Sequence, residues 1–103
     1  MISFSEENYL KAIFHFKQKF PAGVSTNALA EEMSTKASSV TDMVKKLSEK
    51  DLVNYKKYQG VKISKKGEIA AVEVVRKHRL WEVFLVEKLN FSWAEVHDVA
   101  EQL

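Results

Sequence analysis

Cysteine is absent from the 103 residues, and there are only one proline and three glycines. Without thiols there is no disulfide, no thiolate metal site and no cysteine nucleophile. So few breakers leave little room for tight turns and favour helices. No apolar run is long enough to span a bilayer, and the start, MISFSEENY, lacks the basic flank and apolar stretch of a signal peptide. A cytoplasmic protein with no membrane partner is expected. HExxH, a glycine-rich phosphate loop and GxSxG are missing too. Neither an enzyme nor a small organic substrate is expected.

Hydrophobic residues make up 46% of the chain, enough for a packed core in a molecule of about one domain. The net charge of +2 is unevenly spread. Between 36 and 66, nine lysines face three acids, so that this segment carries +6 and the remainder −4. A basic middle between acidic ends is a footprint for nucleic acid. A lysine-rich surface without a partner has the same composition.

The stretch 36–50, KASSVTDMVKKLSEK, has two faces at helical spacing. Val40, Met43, Val44 and Leu47 form an apolar stripe. Ser38, Thr41, Asp42 and Lys45 repeat those offsets on the other side, flanked by Ser39 and Lys46. Hydroxyls, a carboxylate and ammoniums suit base edges and the phosphates beside them. A solvated amphipathic helix is the bland alternative.

The neighbouring segments discriminate. A first helix is expected over 5–19, capped by Ser5, with Tyr9, Ile13, Phe16 and Phe20 on its stripe. Ser25 caps a short helix, 26–33, and a polar turn leads into the helix at 37–50. Short helix, turn and polar-faced helix form a helix-turn-helix pattern. Next, 52–57 and 61–64 read as a small hairpin turning at Tyr58-Gln59-Gly60, with Lys56, Lys57 and Lys62 available to phosphates. Such a hairpin is the wing of a winged helix. Wet-side lysines also guard ordinary edge strands.

Ser64 caps a long helix, 65–89, whose second half is apolar nearly all round. A helix of that kind needs more than one partner, and a second copy of the chain is a natural one. Leu80, Trp81, Phe84 and Leu85, with Trp93, are the candidate dimer interface; a helix wrapped by its own chain is the alternative. Asn90-Phe91-Ser92 breaks the run, and Ser92 with Glu95 makes a capping box for a last helix. No stop signal precedes Leu103, so the chain reads as truncated or unusually short there.

His78 and Glu82 are four apart on the long helix, and His97 and Glu101 are four apart on the last. Each pair shares a helix face, and a three-residue connection makes the helices antiparallel, so the pairs can converge. Two imidazoles and two carboxylates suit a divalent ion such as Mn, Fe, Co or Zn. Ordinary i,i+4 pairs on an exposed helix look the same.

The segments EENYLKAIF (6–14), SSVTDMVKKLSEKDLVNYKKYQGVKISKKG (38–67), RKHRLWEVFL (76–85) and EVHDVAEQL (95–103) resemble the DtxR/MntR family of metal-dependent transcriptional repressors. The resemblance covers nearly the whole chain. It implies a mainly α fold, with a winged helix-turn-helix DNA-binding domain over 1–75 and dimerisation and metal-binding helices over 76–103. It implies a repressor of metal-homeostasis genes that binds palindromic double-stranded operator DNA as a homodimer. Fe(II) or Mn(II) acts as co-repressor, with Zn, Co or Ni as possible substitutes in vitro. His78, Glu82 and His97 match one family metal site. Glu101 matches a second-site position that is cysteine in iron-type members and glutamate in manganese-type ones. Asn8 falls where the family has a methionine or aspartate ligand, and it offers an oxygen without charge. Lys11 stands at a ligand glutamate of manganese-type members and cannot coordinate. The family's next ligands, a Glu-His pair, would fall just past Leu103. Longer members add an SH3-like domain. The implied operator contacts are Lys36, Ser38, Ser39, Thr41 and Asp42, with Lys45 and Lys46 towards phosphates. Ser25 and Thr26, entering the short helix, and Lys56 and Lys57 on the hairpin complete the expected DNA-contacting set. Asp42 departs from the family's usual glutamine or lysine. A metal-independent winged-helix repressor and a winged-helix protein–protein interaction module are the alternatives.

Overall fold

Ser3, not Ser5, starts the first helix. In the computed structural model, which describes residues 2–57, 59–89 and 92–102 (without the side chains of 89, 93 and 94), α1 spans Phe4–Phe16. The Glu6 N–H donates to Ser3 Oγ at 3.1 Å and the Ser3 N–H donates to Glu6 Oε1 at 3.0 Å, a closed capping box. Ser5 lies inside the helix. The helix stops at Phe16, short of the expected Lys19. Phe20 falls beyond it, 37% exposed, while Tyr9, Leu10 and Ile13 supply the buried face.

Helix α2, Thr26–Glu32, is capped by Ser25, whose Oγ accepts from the Ala28 N–H at 3.0 Å. The chain reverses through Ser34 at φ 52°. Helix α3, Ala37–Glu49, starts from Lys36 without a side-chain cap and buries Val40, Val44 and Leu47. Met43, the fourth member of the stripe its spacing predicts, is half-buried against the same core. Strands β1, Val53–Lys56, and β2, Gly60–Ile63, pair antiparallel, with Val53 opposite Ile63 and Lys56 opposite Gly60. Val24 bridges to Val61 on the other edge of β2. Tyr58, in the expected turn, lies outside the described residues. Helix, helix, helix, hairpin is the winged helix-turn-helix order, built on a core that includes Leu10, Ile13, Leu29, Val40, Leu47 and Val61.

Helix α4 runs Lys65–Leu89, and Ser64 Oγ accepts from the Gly67 N–H at 2.9 Å at its start. Helix α5 is Trp93–Gln102, opened by the Ser92–Glu95 capping box. Asn90 and Phe91, in the expected break, lie outside the described residues. Two compact units result, Met1–Ala71 and Val72–Leu103. In the second, Leu85, Val96 and Ala100 form a small core flanked by Val86 and Val99. Leu85 is only 3% exposed. Expected at a dimer interface, it faces α5 of its own chain, because a helix apolar all round leaves its inward phase undefined by spacing. Among the described residues, no helix is long and apolar enough to cross a membrane.

Candidate metal centre and nucleic-acid face

In the first unit, α3 leaves Lys36, Ser38, Ser39, Asp42, Lys45 and Lys46 exposed, opposite its buried stripe. Thr41 is half-buried, and its hydroxyl donates to the Ala37 carbonyl at 3.0 Å. It can still accept from a base, but its proton is committed to the helix. Ser25 is exposed with its hydroxyl oxygen already accepting the α2 cap bond, and Thr26 is half-buried. Lys56 and Lys57 are exposed on the hairpin, as is Lys62 on β2. The sequence-predicted polar face and basic wing therefore both exist as solvent-facing surfaces.

Lys50, one of the nine lysines of the basic middle, serves elsewhere. It is the C-cap of α3, and its Nζ lies 2.7 Å from Glu6 Oε2 on α1. Glu6 is 6% exposed. Its carboxyl is held down to about 2, first by the Lys50 hydrogen bond and next by the Ser3 backbone N–H, against an opposing effect of burial. Sequence reasoning placed Glu6 beside a helix N-terminus but had no signal for a partner 44 positions away. Lys17 likewise forms an ion pair with Glu68.

In the second unit, the two His/Glu pairs meet. His78 Nε2 is 2.7 Å from Glu82 Oε1, and His78 Nδ1 is 3.8 Å from Glu101 Oε1. His97 Nε2 is 4.0 Å from the same Glu101 oxygen. The two imidazoles stand edge to face with centroids 5.4 Å apart. One donor atom each from His78, His97 and Glu101 falls within 4.8 Å of the others. Donors about 2.0–2.2 Å from a metal stand about 3–4 Å from each other, so a small side-chain rotation would close this set on an ion. Glu82 is not in that group. It holds the other nitrogen of His78, the place of a carboxylate that orients a ligand imidazole. Nitrogen and oxygen donors without sulfur suit a divalent first-row ion, and His78, His97 and Glu101 fit one, while Glu82, expected as a fourth donor, stands against His78. Asn8 sits half-buried on α1, in the first unit.

The other face of α4 is apolar and wet. Leu80 is 65% exposed and Phe84 43%, with Trp81 and Val83 exposed beside them. The rings of Trp81 and Phe84 meet at right angles, 5.6 Å apart. Trp93 begins α5, and its side chain lies outside the described residues.

Residues 1–61 match the family profile described as iron dependent repressor, N-terminal DNA binding domain. Residues 64–103 match the one described as iron dependent repressor, metal binding and dimerisation domain. An uncharacterised HTH-type transcriptional regulator of Methanocaldococcus jannaschii is 38% identical over 91 residues, 88% of this chain and 73% of that protein. The HTH-type transcriptional regulator MntR of Oceanobacillus iheyensis is 38% identical over 98 residues, 94% of this chain and 65% of that one. Among solved structures, the manganese regulator SloR superposes with a TM-score of 0.76 at 43% identity, over 94% of this chain and 45% of that chain. A manganese-dependent transcriptional repressor in complex with manganese superposes at 0.80 and 39% identity, over 94% and 44%. The chain thus spans less than half the length of these two solved relatives. The winged helix with its polar α3, the converging His/Glu pairs that follow it in the chain and the two matching profiles have one explanation: the chain belongs to the iron-dependent repressor (DtxR/MntR) family of metal-dependent, DNA-binding transcriptional regulators, which are not enzymes.

Proposed function

We propose that the chain is a repressor of metal-homeostasis genes that dimerises, loads Fe(II) or Mn(II) and then binds a palindromic operator. The observation that carries the metal half is the convergence of His78, His97 and Glu101. In this reading those three side chains hold the ion, and Glu82 fixes the His78 ring. Asn8 joins the set on its family correspondence alone. A carboxylate at Glu101, in a chain without cysteine, favours the harder ions.

Labour divides between 1–75, which contacts DNA, and 76–103, which dimerises and binds metal. Ser38, Ser39, Thr41 and Asp42 read bases. Lys36, Lys45, Lys46, Lys56 and Lys57 meet phosphates, and Ser25 and Thr26 touch the backbone where α2 begins. Leu80, Trp81 and Phe84, with Trp93, form the dimer contact. An operator as partner puts the protein in the cytoplasm.

The test is a mobility shift on palindromic duplexes with Mn(II), with Fe(II) and with a chelator. Binding that needs metal supports the co-repressor role. Equal binding in chelator would make this a metal-independent repressor, a reading that the already satisfied His78–Glu82 pair allows. No binding at low salt under any condition would point to an interaction module instead. Lys45→Ala should weaken binding to every sequence and flatten the salt dependence, whereas Thr41→Ala should change preference.

A further inference from the structure

Helix α3 ends in an anchor. Lys50 sends Nζ to Glu6 Oε2 at 2.7 Å, and its own carbonyl accepts from Lys66 Nζ at 3.2 Å. Glu6 cannot swivel, because its other oxygen accepts the Ser3 N–H at 3.0 Å in the α1 capping box. A buried carboxylate with both oxygens engaged joins the first turn of α1 to the C-cap of α3. All of these groups lie in the first unit.

We propose that Glu6 and Lys50 are a positioning pair that sets the tilt of α3, and so where Ser38, Ser39 and Asp42 meet a base edge. The inference rests on the reading of α3 as the DNA-reading helix. Its physical basis is leverage. The apolar stripe on Val40, Val44 and Leu47 holds one side of α3, but burial is not directional. A short ion pair on a carboxylate fixed at its second oxygen is directional. Thirteen residues make a helix about 20 Å long, so that a tilt of about 5° at the anchored end moves the far end by about 1.7 Å. The reading positions cluster in the half of α3 away from Lys50. A shift of that size takes a hydrogen bond out of its working range of about 2.7–3.2 Å.

Two variants of the full chain separate positioning from simple charge. Glu6→Gln keeps the shape and the acceptor for Ser3, and Lys50→Met keeps the stem. Removing an acid should, on charge alone, strengthen binding to DNA. The positioning role gives the opposite sign. On a duplex selected from a random library by the wild-type chain in Mn(II), each variant should bind about tenfold more weakly, the worth of one good base contact. On a random-sequence duplex of equal length, Glu6→Gln should bind no more weakly than wild type. The double variant should lose no more than the singles, because the two residues act as one unit. Glu6→Gln binding the selected duplex as tightly as wild type would overturn the proposal. So would a Lys50→Met loss accompanied by a salt slope reduced by about one, since that marks a direct phosphate contact.

Hydrogen exchange decides the point without DNA. Either variant should speed exchange in both the first turn of α1 and the last turn of α3, relative to the hairpin. Exchange unchanged at the end of α3 in Glu6→Gln would overturn the clamp, whether or not wild type selects a sequence. A wild type that selects nothing would count against the proposed function and leave this measurement standing.

Discussion

The Leu52 carbonyl oxygen occupies the place where a side chain on Gly67 would begin. Gly67 lies in the first turn of α4, where the helix crosses the exit from α3 into β1. The requirement is for space rather than for an unusual backbone angle. In an open helix, Gly→Ala stabilises by about 1 kcal/mol. Here the methyl would strike backbone, which cannot rotate away, with the Ile63 side chain also close. Gly67→Ala should therefore destabilise the first unit by about 1–3 kcal/mol. Urea unfolding should show a lower midpoint with an unchanged slope. A raised midpoint would mean that α4 is free to shift off Leu52.

Glu6 predicts an acid-labile contribution to stability. Its carboxyl ionises at about 2 in the folded chain against an ordinary 4.5. A depressed folded value means that the contribution is complete above the unfolded value and is lost as pH falls from about 4.5 towards 2. Each tenfold difference in ionisation constant corresponds to about 1.4 kcal/mol, so the whole difference would amount to about 3 kcal/mol unscreened, and screening at the half-exposed Lys50 end reduces it to about 1–2 kcal/mol. Other carboxylates titrate in the same window, so the quantity to measure is the stability of wild type minus that of Glu6→Gln. That difference should shrink as pH falls from about 5 to about 2.5. A constant difference would show that the ion pair adds nothing beyond the cap.

Local pattern made much of this molecule legible. Capping serines at 25, 64 and 92 mark three helix starts, and the bounds of α4 follow from a serine before it and a break after it. The α3 stripe and the hairpin alternation survive because each buries one face. The His/Glu convergence was legible from two i,i+4 pairs and a short connection. What failed needed information from across the chain. Ser3 and Ser5 both satisfy a cap, and the reciprocal bond with Glu6 decides for Ser3. Leu85 and Phe84 are adjacent in an apolar run, and only the position of α5 turns the first inward and the second out. Nothing local links Glu6 to Lys50.

The proposed metal centre predicts a graded series. His78 touches both Glu82 and Glu101, so His78→Ala should cause the largest loss of Mn(II) affinity by calorimetric titration. Glu101→Gln removes the only carboxylate of the converging set and should rank next. Glu82→Gln should weaken binding by about 10–100-fold, the usual cost of losing an orienting partner. If Glu82→Gln proved as damaging as His78→Ala, Glu82 would be a ligand. If none of the three mattered, the cluster would be a set of ordinary ion pairs.

Leu80 and Leu85 on α4 should fail in opposite ways. Leu80 and Phe84 are one turn apart, 65% and 43% exposed, and stand outside the small core of their own unit. Leu80→Glu should leave the helical signal and the thermal midpoint nearly unchanged, because Leu80 is mostly exposed and stands outside the small core. With Leu80 in the proposed dimer contact, it should shift the mass in solution from dimer to monomer. A palindrome presents half-sites about one helical turn, roughly 34 Å, apart, so on the proposed palindromic operator a monomer would forfeit the second recognition helix and with it most of the affinity. Leu85→Ala empties part of the core with Val96 and Ala100 and should cost about 2–5 kcal/mol of stability. Its dimer should weaken only in step with unfolding. Light scattering together with thermal melts separates the two outcomes. A monomeric, fully folded Leu85→Ala beside a dimeric Leu80→Glu would reverse the assignment of the two faces of α4.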